Sequence, residues 1–312
     1  MISLRYHVVS IAAVFLALAL GVVLGSTAIS DRLLSGLSSN RDDLGRQVSD
    51  LQAQRNALNA QLANADTFGA AVGPRIVSGA LRGRSVVLVT TADAAPADRD
   101  ALTGLLSSAG ATVTGELQLT DAFTDPSRSD QLSELSTRLL PAGLRLPTAS
   151  DAGTLAGGLL GSLLLINPNN GKAQATPAET TAVLAGLGDG GFVHAGPRVL
   201  PSQLVVVLTG GANRGNGSGD RAGILARFAT QLDHAGAGAV LAGRPGSADG
   251  NGPIGVVRAD TAAASVLSTV DDVSTAAGRV VTVLALAEQA QGHAGRYGTG
   301  GNAQAMVPAI QG

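Results

Sequence analysis

The sequence predicts an α/β protein in three parts: an N-terminal transmembrane helix, a coiled-coil helix, and a mostly parallel sheet domain covered by helices. It does not predict a β-barrel. Three observations lead there. Val8–Ile29 is an apolar run without a charge. Apolar residues recur at heptad spacing between Leu34 and Leu62. From about Arg75, short Val- and Leu-rich runs alternate with segments of helical periodicity, the pattern of a parallel sheet buried on both faces. The expected division is an anchor over 1–30, a stalk over 31–72, an extracytoplasmic α/β domain over 73–291 and a flexible C-terminal tail over 292–312.

The anchor comes first. As a helix, Val8–Ile29 would reach roughly 33 Å, about the thickness of a bilayer core. Arg5 and the amino terminus precede it, while Asp31 and Arg32 follow and cancel. The positive-inside rule then places the N-terminus in the cytoplasm and the rest outside. Ser26 and Ala28 could serve as the small residues of a cleavage site. Secretory apolar regions are shorter, roughly 7–15 residues, so an uncleaved anchor is the expectation.

The stalk follows. Leu37, Leu44, Leu51 and Leu58 form one series seven apart, and Leu34, Arg41, Val48, Arg55 and Leu62 form the other. Together they alternate three and four, the a/d seam of a coiled coil. The expected partner-binding seam is Leu37, Arg41, Leu44, Val48, Leu51, Arg55, Leu58 and Leu62. Asp42, Asp43, Arg46, Gln47, Asp50, Gln52 and Gln54 lie between the seams. Two a positions hold arginine. In a parallel homodimer each faces its own copy, at a cost in stability. Either both snorkel outward and a homo-oligomer forms, or a different helix supplies acidic or polar partners. Asp66 and Gly69 weaken the pattern, and Gly73-Pro74 should end the helix.

In the domain, Ser85–Thr91, Thr112–Leu119, Leu163–Ile166, Leu204–Leu208 and Ala239–Gly243 read as strands, with Ile254–Arg258 and Val280–Leu286 completing the apolar runs. Helical spacing marks Asp98–Ala109, Ser129–Leu140 and Arg221–His234, and Thr176-Pro177-Ala178-Glu179 has capping-box spacing. Gly210–Gly219 lies between a strand and a helix, as a phosphate loop would. Its spacing fits neither the dinucleotide fingerprint nor the P-loop, so a flexible surface loop is expected.

The chemistry is sparse. Net charge is −2, which gives no electrostatic case for nucleic acid. With no cysteine, thiol catalysis, disulfides and zinc clusters are excluded. Soft copper ligands reduce to Met1 and Met306. His7, His194, His234 and His293 stand without metal-ligand spacing. Asp271-Asp272 reads as a solvated turn. No enzyme signature and no cofactor site is found.

The opening Met1–Ser26, together with Ala71–Leu81, Ala239–Ala248, Ser268–Val273, Gly278–Leu286 and Tyr297–Gly300, resembles the mycobacterial copper transport protein MctB family and is similar to the SteB-type envelope proteins of corynebacteria. The first resemblance implies copper efflux or copper resistance through an oligomeric pore of the outer membrane, with copper only as transported substrate. The second implies a non-enzymatic interaction protein that binds a membrane partner and helps control peptidoglycan hydrolysis and division. Physics resists a barrel, which needs alternating strands of about ten residues and aromatic girdles. Here tryptophan is absent and aromatics are 2%. The expected setting is the cell envelope, with the partner a membrane, a second copy or another envelope helix. The sequence favours anchoring in the inner membrane, whereas the resemblance implies the outer one.

Overall fold

The structure, a computed structural model, describes residues 4–212 and 215–309, with side chains except those of 26–40 and 42. The side chains of Leu34, Leu37 and Asp42 therefore lie outside the described residues. So do those of Ser26, Ala28, Asp31 and Arg32, and so do Asn213 and Arg214 of the glycine-rich loop. The chain divides into two units, 1–65 and 66–312.

Helix α1 (Leu4–Ile76) supplies all of the described part of the first unit. Its Leu4–Gly25 stretch, with mean hydropathy 2.7, is long and apolar enough to cross a membrane. The remaining elements, in chain order, are β1 (Ser85–Thr90), α2 (Pro96–Ser108), β2 (Thr112–Leu119), α3 (Asp121–Thr124), α4 (Ser129–Arg138), α5 (Ala152–Leu164), β3 (Ile166–Asn167), β4 (Lys172–Ala173), α6 (Pro177–Asp189), β5 (Val193–Ala195), β6 (Leu204–Leu208), α7 (Ser218–Ala235), β7 (Ala239–Ala242), α8 (Pro253–Ala259), α9 (Thr261–Val266), β8 (Ser268–Val270), α10 (Ala276–Gln289) and β9 (Arg296–Tyr297).

Seven strands form one open sheet in the order β5-β2-β1-β6-β7-β8-β9, parallel except for β5. The fold is mixed α/β with no closed barrel. Strand periodicity explains the layering, since alternate side chains point to opposite faces. Val86, Leu88, Val206 and Val240 pack with α2 and α10 on one face. Val87, Val89, Val205, Val207 and Leu241 pack with α4 to α7 on the other. Valine and leucine fill both layers, and Phe123, Phe192 and Phe228 are fully buried.

Several sequence expectations change. Leu163–Ile166 is not a strand: Leu163 and Leu164 end α5, Leu165 makes a single bridge to Ser202, and strand β3 begins at Ile166. Glycines disguised this helix. Gly153, Gly157 and Gly161 form one stripe along it, against α7. A Cβ at Gly157 would stand 2.7 Å from Cβ of Gln231, and one at Gly161 would stand 2.6 Å from Cβ of Ala235. Ile254–Arg258 and Val280–Leu286 are helical, within α8 and α10. Their β-branched runs look like strands, yet Thr275 caps α10 by accepting from the Gly278 N–H at 2.9 Å. The capping box at Thr176 and Glu179 does form. The tail expected over 292–312 instead contributes β9, whose Tyr297 is buried.

Candidate functional site

Three arrangements stand out, each built from one kind of local structure. The first is the seam of α1 within 1–65. Leu44, Val48, Leu51, Leu58 and Leu62 are 54–69% exposed, and Arg41 and Arg55 are exposed with them. Leu37 belongs to the same series, but its side chain is outside the described residues. The described ion pair in this stretch, Arg46 with Asp43, lies off the seam. Heptad flanks matter here: from 45 to 61 the positions bordering the seam hold Gly45 and the neutral amides Gln47, Gln52, Gln54, Asn59 and Gln61. No carboxylate borders the seam to neutralise Arg41 or Arg55 if two copies pair.

The second arrangement is the last stretch of α1, residues 66–76, within the second unit. Sequence reasoning took Asp66 and Gly69 as flaws in the heptad. They are docking residues. Asp66 accepts a hydrogen bond from the Ala276 N–H, at the N-terminus of α10, where a carboxylate also meets the favourable end of the helix dipole. A Cβ at Gly69 would lie 3.1 Å from Cβ of Ala276, and one at Gly73 would lie 2.9 Å from Cγ2 of Val280. Two glycines four apart let one helix backbone approach another. That spacing was the signal available in the sequence. The helix runs on to Ile76 with Pro74 in its last turn, slightly past the expected stop.

The third arrangement lies at the carboxyl ends of the strands. From β1 the chain runs to β2 on one side and later places β6 on the other, so the order reverses between β1 and β6. In open α/β sheets ligands bind at such a switch point. Here it is a crevice of about 90 Å³ lined by Thr91, Asp93, Thr120, Asp121, Thr209 and Arg221, room for about three waters. Thr91 Oγ1 donates to Asp93 at 2.5 Å. Gly210 opens the glycine-rich loop with its Cα against the Asp93 carboxylate. The close approach therefore serves an acid already present. Two carboxylates against one arginine disfavour a phosphate.

Next to this crevice runs a chain of ion pairs. Asp98, at 4% side-chain exposure, meets Arg244 at 2.6 Å and Arg279 at 3.6 Å. Arg279 also reaches Asp66 at 3.9 Å and donates to the carbonyls of Val273 and Ser274. The Arg244 N–H in turn donates to Gly210 O at 3.0 Å. Accepting from Arg244 Nε, the Asp98 carboxylate holds that guanidinium above the usual arginine range.

Asp271-Asp272 is not a solvated turn. Arg258 and Asp271 are 1% and 3% exposed and meet at 2.6 Å. Arg258 also donates to Thr269, Asn302 and Tyr297 O. Asp271 accepts from the N–H groups of Thr299 and Gly300. The pair thus ties the C-terminal segment to β8. Burial pushes the Arg258 pKa down against this partner, and burial followed by the Asp271 charge raises Asp272. Asp272 Oδ1 is buried without a hydrogen-bond partner among the described residues.

Among the described residues no group of three or more His, Asp or Glu side chains could hold a metal ion. His194 sits on β5, His234 in the last turn of α7, His293 after α10 and His7 in the apolar stretch of α1.

These features define a membrane-anchored protein with a mixed α/β domain and a helix that leaves its heptad seam uncovered. Comparison with known proteins gives the family. A profile described as "Copper transport outer membrane protein, MctB" matches residues 1–308. The protein named copper transporter MctB in Mycobacterium tuberculosis (strain ATCC 25618 / H37Rv) is 43% identical over 312 residues, covering 98% of this chain and 99% of that protein. Its namesake in Mycobacterium bovis gives the same values. That of Mycobacterium leprae is 40% identical over 315 residues, with the same coverage. The chain belongs to the MctB family of copper transport proteins.

Proposed function

We propose that this chain serves copper export from the cell envelope, with copper as transported substrate, and that it does so as an assembly joined along the α1 seam. The observation that supports assembly is the row Leu44, Val48, Leu51, Leu58 and Leu62, left exposed on a helix whose opposite faces are polar. Burying such a row against a second helix is the usual source of coiled-coil stability. In this reading the bulk of the chain lies outside the cytoplasm, no reaction is catalysed, and the conducting path belongs to an oligomer. The test is copper release from vesicles holding the full chain. Wild type should speed release over protein-free vesicles, and Leu51→Asp with Leu58→Asp should abolish the gain. Equal release with and without the protein overturns the reading.

Arg41 and Arg55 favour a second reading. The seam-bordering positions around them, Gly45, Gln47, Gln52, Gln54 and Asn59, carry no charge, so a foreign helix with seam acids neutralises them better than a second copy does. The chain is then a docking protein for another envelope protein, in line with control of peptidoglycan hydrolysis, and copper tolerance follows indirectly. Arg41→Leu with Arg55→Leu should tighten self-association at least about tenfold, as judged from the cost of like charges in a seam, and should weaken partner crosslinking from Val48. Sedimentation of the full chain in detergent reads the first effect. No change in either quantity removes this reading.

A further inference from the structure

The crevice at the switch point is lined by opposite charges that do not meet. Arg221 reaches it from the first turn of α7, Asp93 from the segment after β1, and Asp121 from the start of α3. Neither carboxylate lies within 4 Å of the Arg221 guanidinium, and neither Arg221 nor Asp121 makes an ion pair at that distance with any other described residue. Asp125, close by, is taken up by Ser127, whose N–H and hydroxyl donate to it at 2.9 and 2.8 Å. In a crevice of about 90 Å³, groups of both signs are within reach of one small molecule.

The inner wall is set by the strands. Thr91 and Thr209 directly follow β1 and β6, whose last residues Thr90 and Leu208 pair. By strand alternation both threonines turn to the face of Val89 and Val207, under α7, and Leu225 of α7 lines the crevice with them. Thr91 is 6% exposed and Thr209 4%. The Thr91 hydroxyl donates to Asp93. The Thr209 hydroxyl has no hydrogen-bond partner among the described residues. Its methyl group lies toward Gly243, 3.0 Å from where a Cβ there would stand, which leaves the hydroxyl to the crevice. A hydroxyl so enclosed normally has a partner, and the crevice is where one can sit.

We propose that this crevice binds a free α-amino acid no larger than alanine, as the zwitterion. The carboxylate lies against Arg221, whose planar guanidinium matches it as a fork. Arg221 sits at the start of α7, where the helix dipole favours an anion and the N-cap, Gly217, has no side chain to cap the first turn. The ammonium lies toward Asp93 and Asp121. Its three N–H donors meet the two carboxylates and the Thr209 hydroxyl, as the donor count of an ammonium allows. Size and charge select this class together. About 90 Å³ holds on the order of five or six non-hydrogen atoms at the packing density of an interior. A simple anion would sit beside two carboxylates, and a simple cation beside an arginine. A zwitterion meets neither conflict. The site is separate from the α1 seam and stands or falls without either reading of it.

The test is calorimetric titration of the full chain in detergent with glycine as the probe. A Kd of about 1 mM or tighter is expected, within the efficiency of very small ligands. Glycinamide lacks the carboxylate and N-acetylglycine lacks the ammonium. Each should bind at least about tenfold more weakly, because each leaves one side of the crevice unpaired. Leucine should be excluded by size. Arg221→Gln should weaken glycine by about tenfold or more and leave glycinamide unchanged, and Asp121→Asn should weaken glycine and leave N-acetylglycine no weaker. Neither residue is buried, so melts without ligand should match wild type, and the three ligands on wild type decide the question even where a variant fails to fold. No glycine binding at millimolar concentration, or equal affinity for glycine, glycinamide and N-acetylglycine, overturns the proposal. Magnesium or calcium binding lost in Asp121→Asn, with no glycine binding, overturns it in favour of a hard-cation site.

Discussion

The stalk keeps leucine outside, and the domain keeps arginine inside. Along residues 44–62 of α1 the leucines of the seam stay open to solvent. In the domain, Arg258 and Asp271 are almost wholly enclosed. Each inverts the ordinary rule that apolar groups are buried and charges are not. The exposed leucines of the periodic seam are left without cover within the chain's described residues. The enclosed arginine is completed within the chain, by Asp271, Thr269, Asn302 and Tyr297 O. One inversion leaves an apolar row on the surface, and the other holds the C-terminal strand in place.

The sharpest way to break the contrast is to remove the enclosed cation. Arg258→Leu strands Asp271 in the interior and releases three further acceptors. Breaking a buried pair from one side costs roughly 3–5 kcal/mol, so a large drop in the denaturation midpoint is expected. Hydrogen exchange should show residues 296–302 opening first. A loss under about 1 kcal/mol would mean that the pair adds little to holding β9.

A second carboxyl refines the comparison, because it is half-buried with no cation beside it among the described residues. Among the described residues the Asp233 side chain accepts from the Ala239 N–H alone, at 2.8 Å, and burial pushes its pKa up to about 7. An unfolded aspartate titrates near 4. Between these values the folded chain binds the extra proton, so stability falls as pH rises from about 4 to about 7 and is level beyond. Asp233→Asn keeps the acceptor oxygen and removes the charge. It should flatten that slope and stabilise the domain at pH 8 by a few kcal/mol, on the order of 1.4 per pKa unit. Denaturant melts across pH 4–8 check this, and an unchanged slope would show that Asp233 is ionised in the fold throughout.

Much of this was legible in the sequence, and the omissions share a cause. Strands β1, β6 and β7 were readable because central parallel strands are apolar on both faces, and β2 because its Leu117 and Leu119 alternate with polar residues. The seam was readable because heptads repeat. What stayed hidden depended on approach between distant segments. Gly153, Gly157 and Gly161 look like helix breakers until α7 is set against them. Asp66 looks like a heptad flaw until Ala276 is beside it. Arg258 carries no local mark of burial, since its partners lie 11 to 44 residues further on. Periodicity encodes one element's own surface; close contacts between elements need both partners in view.

The smallest effects test α1 against itself. Gly45 and Gly73 sit on one helix and differ in what surrounds them. Nothing lies within 4 Å of a Cβ at Gly45, whereas one at Gly73 would crowd Val280 Cγ2 at 2.9 Å and Leu105 Cδ2 at 3.5 Å. Helix propensity favours replacement at both by about 1 kcal/mol. At Gly45 nothing opposes it, so Gly45→Ala should raise stalk helicity and thermal stability by up to that amount. At Gly73 overpacking costs roughly 1–3 kcal/mol and outweighs propensity, so Gly73→Leu should destabilise the domain while leaving the stalk's own association unchanged. Opposite signs in paired thermal melts would establish that the same helix is free along one stretch and docked along the other. Equal signs would mean that α10 yields to a side chain at Gly73, and that Asp66, with its bond to the Ala276 N–H, holds the docked stretch without help from the glycines.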